Sequence, residues 1–473
     1  MTVALQVLRY AANLGVTMAL ARLVAPLDFG VFAMAATFTG LLLLFKDGGM
    51  ETALISHGAV TDPERAAVAG LTCFYGFILA GICAALGPVL ARLYGEPHLT
   101  LALLLPAGAF IFYGLDVLPG VELLRTHRFR THAAIELIAT LAGWSVALAL
   151  AARGAGYWAL FATEPVSAAT LLIGHSFAVR WRPRFSLGWE AARRFMDFGR
   201  TVSINRALGH IGRNVDNLIL GLAAGAVPLA FYNKAFRLIG LPQESINGPL
   251  SRIATPLLAQ LRGQPAEFVR AFRHFNLTSM ALGLPGVAFL LISAPEIVAV
   301  IYGAQWTPVV PLLRLLGLMG LGHTFLFANG WVYTAMGTVR RQLRWELFNV
   351  TALAASFLVG VHWGAAGVAV AASIAYTVLR GPALVYCFRD TPLRLRDVGE
   401  ILWRPLLASA LAAGLVLLVR TLTPAPATAL VTVLRDGSVL VAGYALGWIL
   451  VPGWRTFLRH ELRRPEPTTP ANG

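Results

Sequence analysis

The chain has 473 residues, of which 57% are hydrophobic and 13% charged, with a formal net charge of +15. A soluble domain carries about 25% charged and 45–50% apolar residues, so an ordinary cytosolic enzyme, a disordered chain and a nucleic-acid binder are excluded. The basic residues are almost all Arg, with Lys46 and Lys234 the only lysines; in a membrane protein such an excess collects on the cytoplasmic side, so it does not by itself mark a polyanion partner.

A helix needs about 20 mostly apolar residues to cross the hydrocarbon core, and about fourteen segments qualify. In chain order they are 2–22, 29–46, 67–91, 99–122, 132–152, 156–179, 200–222, 228–251, 275–301, 307–336, 345–362, 364–388, 402–419 and 428–452. The expected fold class is therefore all-α and polytopic. Met1 leads straight into the first segment, so a removable signal peptide is not expected. Cys73, Cys83 and Cys387 all lie in apolar runs, which argues against a disulfide framework or a CxxC metal site.

Orientation follows from Lys and Arg in the loops. With loops numbered alternately from an inside N-terminus, the inner set holds about 27 basic residues and the outer set only Arg22, Arg92, Arg153 and Arg420. Both termini are thus expected in the cytoplasm. The longest polar connection, 180–199, is inside. It sets Trp189, Ala192, Phe195 and Met196 against Glu190, Arg193, Arg194 and Asp197, the pattern of a helix lying on the inner surface. The tail Pro465–Gly473, with three prolines, is expected to be disordered.

The two halves echo each other at an offset of roughly 200–210 residues. Ala21–Ala35 resembles Gly221–Ala235, and Leu93-Tyr94-Gly95 recurs as Ile301-Tyr302-Gly303. Arg125–Glu136 recurs as Arg340–Glu346, and Gly154–Leu160 near Gly364–Val370. Six spans per half give both halves one orientation, which predicts a parallel pseudo-two-fold repeat with the transport site between the halves. The expected division is an N-lobe 1–199 (spans 1–6 and the inner-surface helix), a C-lobe 200–390 (spans 7–12), two extra spans in 391–455, and a cytoplasmic tail 456–473.

Basic residues remain inside the spans at Arg9, Arg206, Arg213, Lys234, Arg237, Arg314 and Arg435. Each costs roughly 2.5–3.5 kcal/mol at the centre of a lone span, so each should face water or a partner. Arg206, His210, Arg213 and Asn217 form one polar stripe on span 7, with Asp216 at its edge. Span 8 continues it with Asn233, Lys234, Arg237, Glu244, Asn247 and Ser251. At 1.5 Å per residue, Asp216 and Lys234 lie at one depth, roughly 9 Å below the outer end, and Arg213 and Arg237 at another, roughly 13 Å below it. An Asp216–Lys234 pair would leave Arg213 and Arg237 in surplus. The functional reading is a cationic cavity for an anionic group, since the planar Arg fork donates bidentately to phosphate. Arg206, Arg213, Lys234, Arg237, Arg9, Arg314 and Asn217 are the candidate substrate-binding residues. The competing reading of the same residues is interhelical ion pairs and snorkelling side chains.

Asp116, Glu164, Asp216 and Glu244 are the deep acids. They are candidates for binding a coupling ion, H⁺ or Na⁺, and equally for acting as structural partners of buried Arg. Arg435 beside Asp436 reads as a local pair. Glu122 and Glu136 read as surface ion pairs near Arg125, Arg128 and Arg130. No metal-ligand spacing, Walker A sequence or nucleophile elbow is present, so no metal, no cofactor and no enzyme activity is expected.

Leu20–Gly30 (LARLVAPLDFG) resembles the "LARLLSPEDFG" turn of polysaccharide-export flippases, a branch of the multidrug/oligosaccharidyl-lipid/polysaccharide (MOP) exporter superfamily. Asp47–Ile55 (DGGMETALI) is similar to the "DLGLSAALI" segment that follows it, and Arg213–Gly221 (RNVDNLILG) to "RNLDNLLIG". Leu241-Pro242-Gln243 and Gly248–Arg252 match the next helix, and Tyr302–Pro308 (YGAQWTP) resembles "GEKWAPA". The similarity runs over residues 1–390, and Arg213 and Asp216 carry over by motif position. A basic stretch common before span 1 in the family has no counterpart here, which leaves the depth of Arg9 open.

The resemblance implies a Wzx-type flippase of the bacterial inner membrane. Such proteins move undecaprenyl-diphosphate-linked oligosaccharide between leaflets by alternating access, for exopolysaccharide or lipopolysaccharide biosynthesis. The implied partners are lipid-linked oligosaccharide, membrane lipids and a polysaccharide polymerase, with no nucleic acid. Three alternatives stand beside it. One is a lipid II flippase. Another is a multidrug/cation antiporter of the same superfamily, which should favour an acidic cavity. The third is a membrane glycan polymerase or ligase, which usually needs a sizeable catalytic outer loop.

Overall fold

The structure is a computed structural model. It describes residues 2–56, 60–182, 184–186, 188, 207, 209–326, 328–424 and 426–451, and no strand occurs among them. Two compact units divide the chain, Met1–Ala230 and Phe231–Gly473. The inner-surface segment expected at 180–199 and the tail fall largely or wholly outside the described residues.

The first unit holds α1 Thr2–Leu23, α2 Pro26–Leu43, α3 Met50–Ser56, α4 Asp62–Tyr94, α5 Leu99–Ala102, α6 Leu104–Arg125, α7 Phe129–Ala152, α8 Tyr157–Phe161 and α9 Thr163–Val179, followed by α10 over 209–224. Local chemistry sets the ends. Pro26 opens α2 after an extended Ala25, and Asp28 lies in its first turn, where Pro fits without losing a hydrogen bond and an acid favours the positive helix end. Glu64 Oε2 accepts the Thr61 N–H at 2.9 Å in the capping box of α4, and Gly95 ends that helix in the left-handed region. α4 and α6 meet through glycine: a Cβ on Gly114 would stand 2.4 Å from the Thr72 carbonyl oxygen, and one on Gly76 2.6 Å from that of Phe110. Small residues allow this backbone approach where lipid supplies no hydrophobic drive to associate.

α11, Ala226–Gln260, begins in the first unit and runs into the second, with Pro242, Pro249 and Pro256 inside it. The second unit continues with α12 Pro265–Ile292, α13 Ala294–Ile301, α14 Val309–Leu315, α15 Gly317–Leu326, α16 Ala328–Ala335, α17 Val339–Gly360, α18 Gly364–Val378, α19 Arg380–Phe388, α20 Leu395–Leu422 and α21 Ala429–Leu450. Its core joins Phe268, Phe272 and Phe275 of α12 to Trp331, Phe388 and Ile401. α20 and α21 belong to this unit: Ala412 and Val416 pack with Leu440 and Phe289. A polar clamp secures them. Asp436, fully buried, accepts from Arg420 Nε at 2.8 Å, Ser293 Oγ at 3.2 Å and Arg435 Nη2 at 3.0 Å, and Arg420 Nη2 also reaches Glu296 at 3.1 Å. The local Arg435–Asp436 pair read from the sequence is thus present, as part of a larger network.

Among the described residues, eight helical runs are long and apolar enough to cross a membrane by length and composition: Pro26–Leu43, Asp62–Tyr94, Leu99–Arg125, Phe129–Ala152, Pro265–Ile292, Val339–Phe388, Leu395–Leu422 and Ala429–Leu450. They cover expected spans 2–5, 9 and 11–14. The rest are helical where described but more polar, like α11, or interrupted, like 307–336, so length and composition alone do not reach fourteen. Phe77, Ile138, Ile173, Phe177, Leu358, Trp363 and Val441 are exposed. So much outward apolar surface requires lipid, and the chain is a multi-pass membrane protein.

Candidate substrate-binding and coupling residues

In the first unit the span 7 stripe lies on α10. Arg213 is exposed, and its Nη1 folds back along the helix toward Gly209, where a Cβ would come within 3.1 Å. His210 Nε2 donates to the Thr37 carbonyl of α2 at 3.1 Å, in a space that exists because residue 40 is glycine: a Cβ there would lie 2.7 Å from His210 Cε1. Asn214 Nδ2 donates to the His210 carbonyl at 2.9 Å, and Asn217 Nδ2 to Asn214 Oδ1 at 3.3 Å. Asp216 is buried, and its Oδ1 accepts the Asn217 N–H at 2.8 Å. Arg206 lies outside the described residues, as does the side chain of Arg9, whose backbone belongs to α1.

The other two acids of this unit have partners. Tyr113 OH donates to Glu164 Oε2 at 2.6 Å, while the Lys46 ammonium stands 4.7 Å from the centre of the Tyr113 ring. Asp116 Oδ1 lies 2.9 Å from His175 Nδ1, and His175 is buried. The His175 ring stacks on His132 with centroids 4.8 Å apart and planes 11° apart, and His132 Nε2 lies 3.7 Å from Glu136. Glu122 pairs with Arg65 at 3.8 Å. Arg128 Nη1 donates to the Ala178 carbonyl at 2.9 Å, and Arg125 donates to the Leu54 carbonyl.

In the second unit Lys234 is buried on α11. Its ammonium sits 5.0 Å from the centre of the Tyr302 ring and 5.2 Å from that of Trp306, an arrangement that stabilises a cation through the ring quadrupoles. The YGAQWTP segment therefore cages the lysine. Arg237, Glu244 and Arg314 are exposed. Three other polar residues of α11 are tied into the core of their own unit. Gln243 Nε2 donates to the Gly320 carbonyl and to Thr324 Oγ1, both at 2.8 Å. Ser279 Oγ donates to Asn247 Oδ1 at 2.6 Å, and Trp331 Nε1 to Ser251 Oγ at 2.7 Å.

Two polar features escape sequence reading. The His132–His175–Asp116 chain joins residues far apart in sequence on three helices, and the signal available was a His and an Asp inside apolar runs. Arg380 was counted with the inner-loop arginines, yet it opens α19 inside the apolar run Val339–Phe388. Among the described residues no group of three or more His, Cys, Asp or Glu is placed to hold a metal ion.

Residues 19–311 match the polysaccharide biosynthesis protein family. The chain is 22% identical over 303 residues to the teichuronic acid biosynthesis protein TuaB of Bacillus subtilis, covering 63% of this chain and 62% of that protein, less than two thirds of its length. It is 20% identical over 361 residues to the lipopolysaccharide biosynthesis protein WzxC of Escherichia coli, covering 74% and 72%. In fold it is similar to the lipid II flippase MurJ in an inward closed conformation, with a TM-score of 0.74 at 15% identity over 95% of this chain and 97% of that one. With more than half of its length matched, an all-helical membrane architecture and the arginine-bearing α10 motif, the chain belongs to the polysaccharide biosynthesis protein family.

Proposed function

We propose that the chain is a Wzx-type flippase of the bacterial inner membrane, with both termini cytoplasmic. It carries polyprenyl-diphosphate-linked oligosaccharide across the membrane by alternating access, for exopolysaccharide or lipopolysaccharide biosynthesis, and hands it to a polysaccharide polymerase. It does no covalent chemistry of its own. The observation that carries this reading is two exposed guanidinium groups, Arg213 on α10 and Arg237 on α11, on helices that the sequence pattern assigns to spans 7 and 8. A cation in that setting needs water or an anion, and a diphosphate supplies the anion.

Arg206, Arg9, Arg314 and Asn217 are further substrate contacts in this reading, while Lys234 holds the YGAQWTP segment and adds positive potential. Asp216, Glu244, Glu164 and Asp116 are the coupling candidates for H⁺ or Na⁺. Glu244, exposed on α11, is the acid most open to an ion, whereas Glu164 and Asp116 have hydrogen-bond partners.

The test is a chromosomal exchange of Arg213→Ala and of Arg237→Ala. Each variant should insert at the wild-type level and abolish surface polysaccharide. Wild-type polymer in both would reject the cationic assignment. A lipid II carrier is the second reading, favoured by the likeness of fold to MurJ. It predicts arrested peptidoglycan synthesis, with or without loss of surface polymer.

A further inference from the structure

Pro382 lacks an N–H and its ring crowds the carbonyl of residue 378, which weakens the helix just before it. The break falls at Leu379, between α18 and α19. Arg380 is the first residue of α19, roughly 12 Å along the helix from Phe388, the end of an apolar run long enough to cross the membrane.

The Arg380 guanidinium stands 5.2 Å from the centre of the Tyr376 ring. Gly322 of α15 packs against its flank, where a Cβ would lie 3.5 Å from Arg380 Nε. Nε and Nη2 are both sealed from solvent and have no hydrogen-bond partner among the described residues. Buried donors are nearly always satisfied, and those that are not call for an explanation. These two are the side-on pair of the guanidinium, whose parallel N–H bonds match two oxygens of one phosphate. The contrast with Arg420 is direct, since that side chain spends its donors on Asp436 and Glu296.

We infer that Arg380 is an anion-binding residue of the second unit that takes a phosphate group of the lipid-diphosphate substrate. This rests on the exporter reading above. Nε and Nη2 are closed off in this conformation, so the phosphate reaches them in the state of the cycle in which they open. The same phosphate chemistry occurs in bulk anionic lipid, so the test must separate the two sources.

The full chain, in phosphatidylcholine nanodiscs, is titrated with radiolabelled undecaprenyl diphosphate as wild type, R380Q and R380K. R380Q should weaken binding at least tenfold, and R380K should weaken it less. The Tm of R380Q should equal or exceed that of the wild type, because two sealed donors without hydrogen-bond partners among the described residues have been removed. Phosphatidylglycerol at the same mole fraction should not displace the diphosphate. Equal affinity in R380Q and wild type overturns the inference. A drop in the Tm of R380Q also overturns it, marking Arg380 as structural, and displacement by phosphatidylglycerol overturns it in favour of bulk lipid. Absence of saturable binding by the wild type overturns the exporter reading, and this inference with it.

Discussion

Arginine in this chain does two jobs that look alike in sequence. Arg420 and Arg435 converge on the buried Asp436, whereas Arg213 and Arg237 are exposed on their helices. Arg435 could be assigned from its neighbour, one residue away. Arg420 could not, because Asp436 and Ser293 reach it only through tertiary packing. Removing a partner from a buried ion network costs about 3–5 kcal/mol. Asp436→Ala should therefore lower thermal stability in detergent markedly, while Arg213→Ala should leave it within about 0.5 kcal/mol, as for an exposed side chain. Melting curves of the two purified variants check the contrast. At the exposed positions Arg→Lys should restore surface polymer only in part, since lysine keeps the charge and loses the bidentate fork. Full restoration would mean that charge alone suffices.

At the scale of elements, the apolar runs read in the sequence recur as helices wherever the chain is described. What the pattern conceals is interruption. The run 307–336 is divided among α14, α15 and α16, and Leu379 separates α18 from α19 three residues before Pro382. Polar side chains on α11 also divide in a way spacing cannot reveal: Gln243, Asn247 and Ser251 face the core of the second unit, and Arg237 and Glu244 do not. A 3.6-residue period places a residue on a face but does not say what that face meets. The α4–α6 contact gives a direct test of packing. Gly114→Leu would drive a side chain into the Thr72 carbonyl, 2.4 Å from the first added carbon. Overpacking of this kind costs about 1–3 kcal/mol, and the expected result is reduced folded yield, read by size-exclusion chromatography in detergent. Gly81→Leu, on the same α4 with open space around it, should be tolerated.

At the scale of the whole molecule, composition and periodicity specified an all-helical membrane protein, and the ordered motifs specified its family. The compact units divide at 230/231, within α11, so the Arg213–Gly221 motif lies in the first unit and the Leu241–Arg252 motif residues in the second. Transport is the property that belongs to this scale. The direct measurement reconstitutes the chain in liposomes with a fluorescent undecaprenyl-diphosphate sugar and adds a membrane-impermeant quencher from outside. Wild-type protein should bring the protected inner-leaflet fraction to the quencher far faster than in empty liposomes, and the Arg213→Ala, Arg237→Ala double variant should not. Wild-type rates no faster than empty liposomes, or an unimpaired double variant, would contradict the account.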